Sequence, residues 1–171
     1  MSAPAAAPGR RLLPGRAGTA AGLLAVAGIV SLRLWVLEPL VVGSDSMEPA
    51  LPQGGLVLLL KSGSPEERAV PGTLVVFPDP ADGHSTVKRV VATGGQTVSI
   101  EDSVLVVDGA AVPEPHVDRS RIDGTWFGPV TVPAEHVFVL GDNRSPSVDS
   151  RDYGSLPVST VEATVLLPWG S

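Results

Sequence analysis

The chain has 171 residues, of which 43 % are hydrophobic but only 4 % aromatic. This length suits one compact domain with an appendage and argues against two full domains. Cysteine is absent, which excludes disulfides, thiol nucleophiles and cysteine-ligated zinc, and three scattered histidines argue against a histidine-rich metal site. The net charge of −6 argues against non-specific binding to nucleic acid.

The charge is divided between a short basic head and a larger acidic body. Residues 1–40 carry four arginines and one glutamate, a net charge of +3, whereas residues 41–171 carry a net charge of −9. Residues 1–16 are rich in Ala, Pro and Gly, and we expect them to form a disordered head.

An uncharged apolar run, AGTAAGLLAVAGIVSL, fills residues 17–32, and after Arg33 the sequence LWVL continues it to Leu37. A spanning helix needs about 20 apolar residues. Residues 17–37 reach that length if Arg33 extends its charge to the membrane interface, where Trp35 would also lie. We predict a retained transmembrane anchor at 17–37; a cleaved signal peptide and a buried soluble helix are the alternatives. The positive-inside rule then places the head in the cytoplasm and residues 38–171 outside the cell membrane.

The body is predicted to be mainly β, a compact antiparallel domain of short strands. Val-rich runs alternate with turn-forming residues, and no convincing helical periodicity follows Pro39. The predicted strands are 56–60, 74–77, 87–91, 97–100, 104–107, 130–132, 137–140 and 161–167. Asp108-Gly109 between two apolar runs predicts a two-residue hairpin. Two longer polar segments, 113–129 and 142–160, interrupt the pattern.

The segment GSDSMEP at residues 43–49 carries two serines, Ser44 and Ser46, directly after the membrane-proximal stretch. Composition alone favours a Ser/Asp turn leaving the bilayer, because such turns are common. The alternative is that the two hydroxyls belong to a reactive site.

Lys88 and Arg89 interrupt the apolar run TVKRVVA. Alternate residues of a strand face opposite sides, so one of these two cations is expected to face apolar surroundings. A lysine there loses the solvation of its charged form and its pKa falls, which is how an amine becomes a general base. The alternative is an edge strand on which both cations are solvated.

A third segment, GDNRSPSVDSR at residues 141–151, is dense in hydrogen-bonding side chains and follows the predicted strand 137–140. Such a segment is either a solvated loop or a network that holds a neighbouring site in place. Asp149 and Arg151 are close enough in sequence to pair, although an isolated pair of this kind is weak evidence.

Together these segments resemble the type I signal peptidases, membrane-anchored Ser/Lys endopeptidases that remove secretory signal peptides. The resemblance extends from the anchor to about Trp169 and includes the strand GTLVVF at 72–77. It implies that Ser46 is the nucleophile and Lys88 the base, that the Ser46 N–H and the Ser44 hydroxyl form the oxyanion hole, and that Ser147 orients Lys88. The remaining supporting residues that it implies are Arg89, Asp142, Arg144, Asp149 and Arg151.

The same resemblance implies an antiparallel β-domain resting on the bilayer, cleavage of exported precursors after small residues in Ala-x-Ala sites, and no cofactor or metal. We expect a monomer whose partners are signal-peptide-bearing precursors and the lipid bilayer. The chain departs from the family pattern in Pro49-Ala50-Leu51, in Thr73 where Asp is frequent, and in the turn Gly94-Gly95-Gln96.

Three alternatives differ in class. Self-cleaving repressor-type proteases share the Ser/Lys pair but need a helical DNA-binding domain, for which nothing before residue 40 provides the sequence. Sortases need a cysteine. The alternative that stays open is a catalytically silent, membrane-anchored β-domain that binds exported peptides without cutting them.

Overall fold

The computed structural model describes residues 16–119 and 126–168, in two units divided after Leu34. One 20-residue helix, α1 (Arg16–Trp35), accounts for the described part of the first unit. Within the described ranges, none of the helices has both the length and the apolar character that crossing a membrane requires. The predicted head lies almost entirely outside the described residues, and the anchor at 17–37 stays a prediction.

Antiparallel strands and three short helical turns make up the described part of the second unit. The strands are β1 (Leu37–Val41), β2 (Leu56–Leu60), β3 (Leu74–Pro78), β4 (Ser85–Thr93), β5 (Thr97–Glu101), β6 (Val104–Val107), β7 (Ala110–Ala111), β8 (Phe127–Thr131), β9 (His136–Leu140), β10 (Leu156–Pro157) and β11 (Ala163–Pro168). The helical turns are α2 (Pro65–Arg68), α3 (Ser150–Tyr153) and a 3₁₀ turn at Val158–Thr160.

Two sheets result. The first has the strand order β1-β2-β11-β3-β4-β9-β10, and the second has the order β7-β6-β5-β8. Every described strand pair is antiparallel. The prediction of a mainly β antiparallel domain is therefore confirmed.

The predicted strands agree with the observed ones to within three residues at their ends, and 56–60 and 104–107 coincide with β2 and β6. Three strands were not predicted. β1 begins at Leu37, where the apolar sequence of the predicted anchor continues. This strand was missed because a short apolar run does not distinguish strand from helix by its periodicity. β7 and β10 have two residues each, too few to show alternation.

The predicted hairpin joins β6 to β7. Asp108 and Gly109 both have positive φ, 52° and 78°, as a type I′ turn requires. The Asp108 carboxylate also accepts hydrogen bonds from the Thr97 N–H at 2.8 Å and from Gln96 Nε2 at 3.0 Å. The Asp-Gly pair is thus tied to the start of β5.

The unusual turn Gly94-Gly95-Gln96 joins β4 to β5. The Gln96 side chain closes it by accepting a hydrogen bond from the Thr93 N–H at 2.9 Å. A Cβ at Gly94 would lie 2.9 Å from the Pro133 carbonyl oxygen, so this close approach needs glycine. At about 3.3 Å per residue along β4, this turn lies about 20 Å from Lys88. The departure of the turn from the family sequence is therefore too far away to change the surroundings of Lys88.

Three clusters of buried apolar side chains form the core. The first joins β3, β4, β9 and β10 around Phe77 and Val90. The second joins the two sheets through β4, β5, β6 and β9 and includes the paired rings of Phe127 and Phe138, whose centroids are 5.6 Å apart. The third packs Met47 and Leu51 from the segment after β1 against β2, β3 and β4. This third cluster holds the serine-bearing segment on the first sheet.

Tyr153 of α3 packs against the first cluster, and its hydroxyl is buried with no hydrogen-bond partner among the described residues. Burial, reinforced by the charge of Asp149, raises the pKa of Tyr153, so the hydroxyl keeps its proton. An unpaired buried polar group costs stability, and we expect Tyr153→Phe to raise the free energy of unfolding by about 1 kcal/mol. The free energy of unfolding is measured by urea denaturation, with an unchanged m-value expected. A decrease of similar size in that free energy would show that the Tyr153 hydroxyl has a hydrogen-bond partner.

Candidate active site

Ser46 lies in a tight turn between β1 and β2. The Leu51 N–H donates to the Met47 carbonyl at 2.8 Å, and the Glu48 N–H donates to the Asp45 carbonyl at 3.0 Å. Both Met47 and Leu51 are fully buried in the third cluster, so apolar packing fixes the turn against the first sheet. The turn that composition favoured is present, and it presents Ser46 at a defined place.

The two serines of this turn point towards each other beside a cleft. Ser46 is 8 % exposed, and its Oγ lies 3.1 Å from the Ser44 Oγ. The cleft has a volume of about 220 Å³ and is lined by residues 40–47, except Asp45, and by residues 85–87. Its walls are therefore the end of β1, the serine-bearing turn and the beginning of β4.

Lys88 is buried, with 4 % of its surface exposed, in a strand that has neighbours on both sides. It lies opposite Val75 of β3 and shares a face of β4 with Val90, and both valines belong to the first cluster. The expectation that one cation of the pair faces apolar surroundings is thus confirmed, and the solvated edge strand is excluded. The Lys88 Nζ donates a hydrogen bond to Ser147 Oγ at 3.0 Å.

Burial lowers the pKa of Lys88 because the charged amine loses its hydration. The charge of Asp149 opposes this effect, and the charge of Arg151 supports it. Arg151 holds Asp149 through two hydrogen bonds, from Nε at 2.8 Å and from Nη2 at 2.9 Å. The carboxylate with the largest electrostatic effect on the pKa of Lys88 is thus already paired with a guanidinium, which favours a neutral Lys88 amine.

Gly141 brings the serine-bearing turn and the Lys88 partner together. A Cβ at this position would lie 2.2 Å from Ser147 Oγ and 2.7 Å from the Ser46 carbonyl oxygen. Both groups therefore approach the same side of one glycine. Among the described residues, no direct hydrogen bond joins Ser46 Oγ to Lys88 Nζ; the two are connected through Gly141 and Ser147.

The segment 141–151 binds the serine-bearing turn through Asn143. The Asn143 N–H donates to the Ser46 carbonyl at 3.0 Å, and its side-chain amide donates to the Asp45 carbonyl at 3.1 Å. The preceding residue, Asp142, accepts two hydrogen bonds from Arg89, at 2.8 and 2.7 Å. Arg89 thereby ties the strand that carries Lys88 to the segment that touches Ser46.

Asp149 is fully buried and organises the other end of this segment. Its carboxylate accepts a hydrogen bond from the Gly141 N–H at 3.0 Å and caps α3 through the Arg151 N–H. Arg151 Nη2 also donates to the carbonyls of Arg144, at 2.7 Å, and Ser147, at 3.1 Å. The segment is thus a closed network rather than a solvated loop.

A buried ion pair supports the network from outside. Arg144 Nε donates to the Gly141 carbonyl at 3.1 Å, and its Nη2 pairs with Glu114 from the polar segment 113–129. In the same segment, His116 Nε2 lies 3.6 Å from Asp142 Oδ1. Burial lowers the pKa of His116 despite the nearby charge of Asp142, which favours the neutral imidazole.

The structure brings the predicted site residues together in one network, in which Ser44 and Ser46 are linked to the others through Gly141 and Asn143. The predicted site residues are Ser44, Ser46, Lys88, Arg89, Asp142, Arg144, Ser147, Asp149 and Arg151. Sequence reasoning missed the contacts of Gly141 and Asn143, although both lie in a segment singled out for its polarity. It also missed Glu114 and His116, whose only sequence signal was their place in a long polar segment.

Comparisons with known proteins place the chain among signal peptidases. The family described as signal peptidase, peptidase S26, matches residues 16–170. Signal peptidase I of Bacillus licheniformis is 31 % identical over 138 residues, which cover 76 % of this chain and 74 % of the relative. The probable signal peptidase I-1 of Synechocystis sp. is 33 % identical over 151 residues, 81 % of this chain and 75 % of the relative.

Among solved structures, a signal peptidase I from Enterococcus faecalis matches with a TM-score of 0.49 and 28 % identity, covering 56 % of this chain and 94 % of that one. The family match extends over nearly the whole chain, and the two relatives exceed 30 % identity over most of it. The chain belongs to the signal peptidase family S26.

Proposed function

We propose that the protein is a signal peptidase I that removes signal peptides from exported precursors with a Ser46/Lys88 pair. The observation that carries this proposal is the buried Lys88 amine, which is bonded to Ser147 and linked through Gly141 to the backbone of Ser46. A lysine kept neutral by burial is a base at ordinary pH, and a serine beside it gains a proton acceptor.

In the proposed reaction, neutral Lys88 takes the proton of Ser46 Oγ as that oxygen attacks the scissile carbonyl. This transfer requires Ser46 Oγ to come within hydrogen-bond distance of Lys88 Nζ in the substrate complex, since catalytic hydrogen bonds often tighten only when substrate is bound. The Ser46 N–H and the Ser44 hydroxyl would receive the negative charge on the carbonyl oxygen. Protonated Lys88 then gives its proton to the leaving amine, and water hydrolyses the acyl-enzyme.

The oxyanion role of Ser44 is supported by its position. Its Oγ is 3.1 Å from Ser46 Oγ, so a carbonyl carbon attacked by Ser46 would bring its oxygen within reach of the Ser44 hydroxyl. Loss of one such donor typically costs about 2.7–4 kcal/mol of transition-state stabilisation. Ser147 would orient the base rather than touch the substrate.

The substrate would enter the cleft as an extended segment. The cleft runs between the end of β1 and the beginning of β4, whose strand backbones can hydrogen-bond a peptide added beside them. Its apolar lining from Leu40, Val42 and Val87 and its volume of about 220 Å³ suit small side chains. Both features support cleavage after Ala-x-Ala.

We also propose that a monomer acts at the outer face of the cell membrane, attached through residues 17–37, with no cofactor. The basic head before an uncharged run supports this orientation. The alternative is a silent peptide-binding domain with the same attachment. A serine-directed acylating inhibitor distinguishes the two, because only the peptidase should be labelled at Ser46.

The first prediction concerns the two reacting residues. Ser46→Ala and Lys88→Ala should each abolish cleavage of a precursor whose signal ends in Ala-x-Ala, because one lacks the nucleophile and the other the base. Lys61→Ala is the matched control: Lys61 is the other lysine of the chain and pairs with Glu38 at the surface. Cleavage by Lys88→Ala would overturn the assignment of the base, and loss of cleavage in Lys61→Ala with the fold intact would do the same.

The second prediction concerns pH. Because the neutral amine is the active form, cleavage should fall about tenfold for each pH unit below the pKa of Lys88. That pKa should lie below the ordinary lysine value of about 10.4. Lysine labelled with ¹³C at Cε gives two NMR signals, and Lys61→Arg leaves only that of Lys88. The NMR titration and the acid limb of the cleavage rate should coincide; an ordinary pKa for Lys88 would contradict the mechanism.

The third prediction concerns Gly141. Gly141→Ala forces Ser147 away from Ser46, and a displacement of about 1 Å can lower the rate about 100-fold. The effect should be on kcat, measured with the same precursor. Gly28→Ala in α1 is the control, because its added methyl meets no atom within 4 Å. Wild-type cleavage by Gly141→Ala would show that the close approach at Gly141 is not needed.

A further inference from the structure

Glu114 is a buried acid that the proposed chemistry does not use. Its side chain is 2 % exposed and forms an ion pair with Arg144, whose side chain is 3 % exposed. Its second carboxylate oxygen, Oε2, has no hydrogen-bond partner among the described residues. A buried charge is tolerated only when it is compensated, so this carboxylate and this guanidinium depend on each other.

Arg144 connects Glu114 to the centre of the site. Its Nε donates to the Gly141 carbonyl, and its own carbonyl accepts a hydrogen bond from Arg151 at 2.7 Å. Gly141 in turn touches the Ser46 carbonyl oxygen and the Ser147 hydroxyl. Three residues therefore connect Glu114 to the Lys88 amine, namely Arg144, Gly141 and Ser147.

We propose that Glu114 is a positioning residue for the Ser46/Lys88 pair, acting from the segment between β7 and β8 by holding Arg144 under Gly141. This inference rests on the proposed function. The proposal gives the segment 113–129 a role in the site. This role was not evident from the polar sequence of the segment or from its distance along the chain to the site residues.

The geometry separates positioning from substrate binding. The cleft is lined by residues 40–47, except Asp45, and by residues 85–87, and neither Glu114 nor Arg144 is among them. Loss of the Glu114 charge leaves a buried guanidinium without its partner, and Arg144 is expected to shift towards water and release the Gly141 carbonyl. Ser147 then no longer holds Lys88 at the position that the reaction needs, while the cleft is unchanged.

The test is Glu114→Gln in the full chain, with Glu162→Gln as the matched control, because Glu162 is exposed and lies directly before β11. For Glu114→Gln we expect kcat on an Ala-x-Ala precursor to fall about 10–100-fold with KM unchanged. The Lys88 NMR signal should titrate at higher pH than in wild type, because a displaced amine is better hydrated. Glu162→Gln should match wild type in all three readings.

A residue that served stability alone would give a different result. It would lower the melting temperature and the amount of folded enzyme, but the remaining folded protein would keep the wild-type Lys88 titration and kcat. That outcome would overturn the inference. If Glu114→Gln does not fold, Glu114→Asp decides, since it keeps the charge one methylene farther from Arg144. A lowered kcat and a raised Lys88 titration in that variant support positioning, and wild-type values of both overturn it.

Failure of the proposed function would look different again. If wild-type protein does not cleave the precursor, or if Ser46→Ala cleaves it as well as wild type, the peptidase assignment itself is wrong. The NMR titration of Lys88 in Glu114→Gln needs no substrate, so it tests the structural link from Glu114 to Lys88 in either case.

Discussion

The removal of one lysine amine from water is the constraint on which the rest of the site depends. Lys88 is on a central strand, opposite Val75 and beside Val90 on the same face, so its head group cannot reach solvent along the sheet. Burial lowers its pKa and makes proton acceptance possible. The same burial demands a hydrogen-bond acceptor, and Ser147 provides it. A single placement thus creates both the reactivity and the need for the loop that follows β9.

The loop that follows β9 places charged side chains close to the Lys88 amine, and these charges must not raise the pKa of the amine back to its ordinary value. Asp149 acts to raise the pKa of Lys88 against the larger effect of burial, and Arg151 holds both of its oxygens and contributes a positive charge that lowers the pKa. Asp142 is likewise paired with Arg89, and Arg144 with Glu114. Because each described acid of this loop that lies buried has a guanidinium partner, the network can be dense in charge while burial still lowers the pKa of Lys88.

The strands could be predicted because they are local signals: Val-rich runs between turn residues give β2 and β6 their bounds. A lysine within an apolar run likewise predicted the burial of Lys88, whereas the roles proposed for Ser46 and Lys88 rest on the family resemblance. Contacts across the chain are different. Glu114 and Arg144 are 30 residues apart in the sequence, and no spacing rule connects the two. The close approach at Gly141 could not be predicted either, since the sequence does not distinguish a glycine needed for a close contact from one needed for a turn. β1 was missed because Leu37 continues the composition of the helix before it.

The buried amine also has a cost that the fold must offset. In the unfolded chain Lys88 has an ordinary pKa, so between its lowered folded value and about 10.4 the unfolded state binds more protons than the folded state. The contribution of Lys88 to the free energy of unfolding therefore rises with pH across this window and is lowest at pH values below the lowered pKa of the folded state. The three apolar clusters supply the compensating stability. The reactivity proposed for the Lys88 amine and the stability of the fold are thus opposed at one atom, which the surrounding network keeps buried beside Ser147.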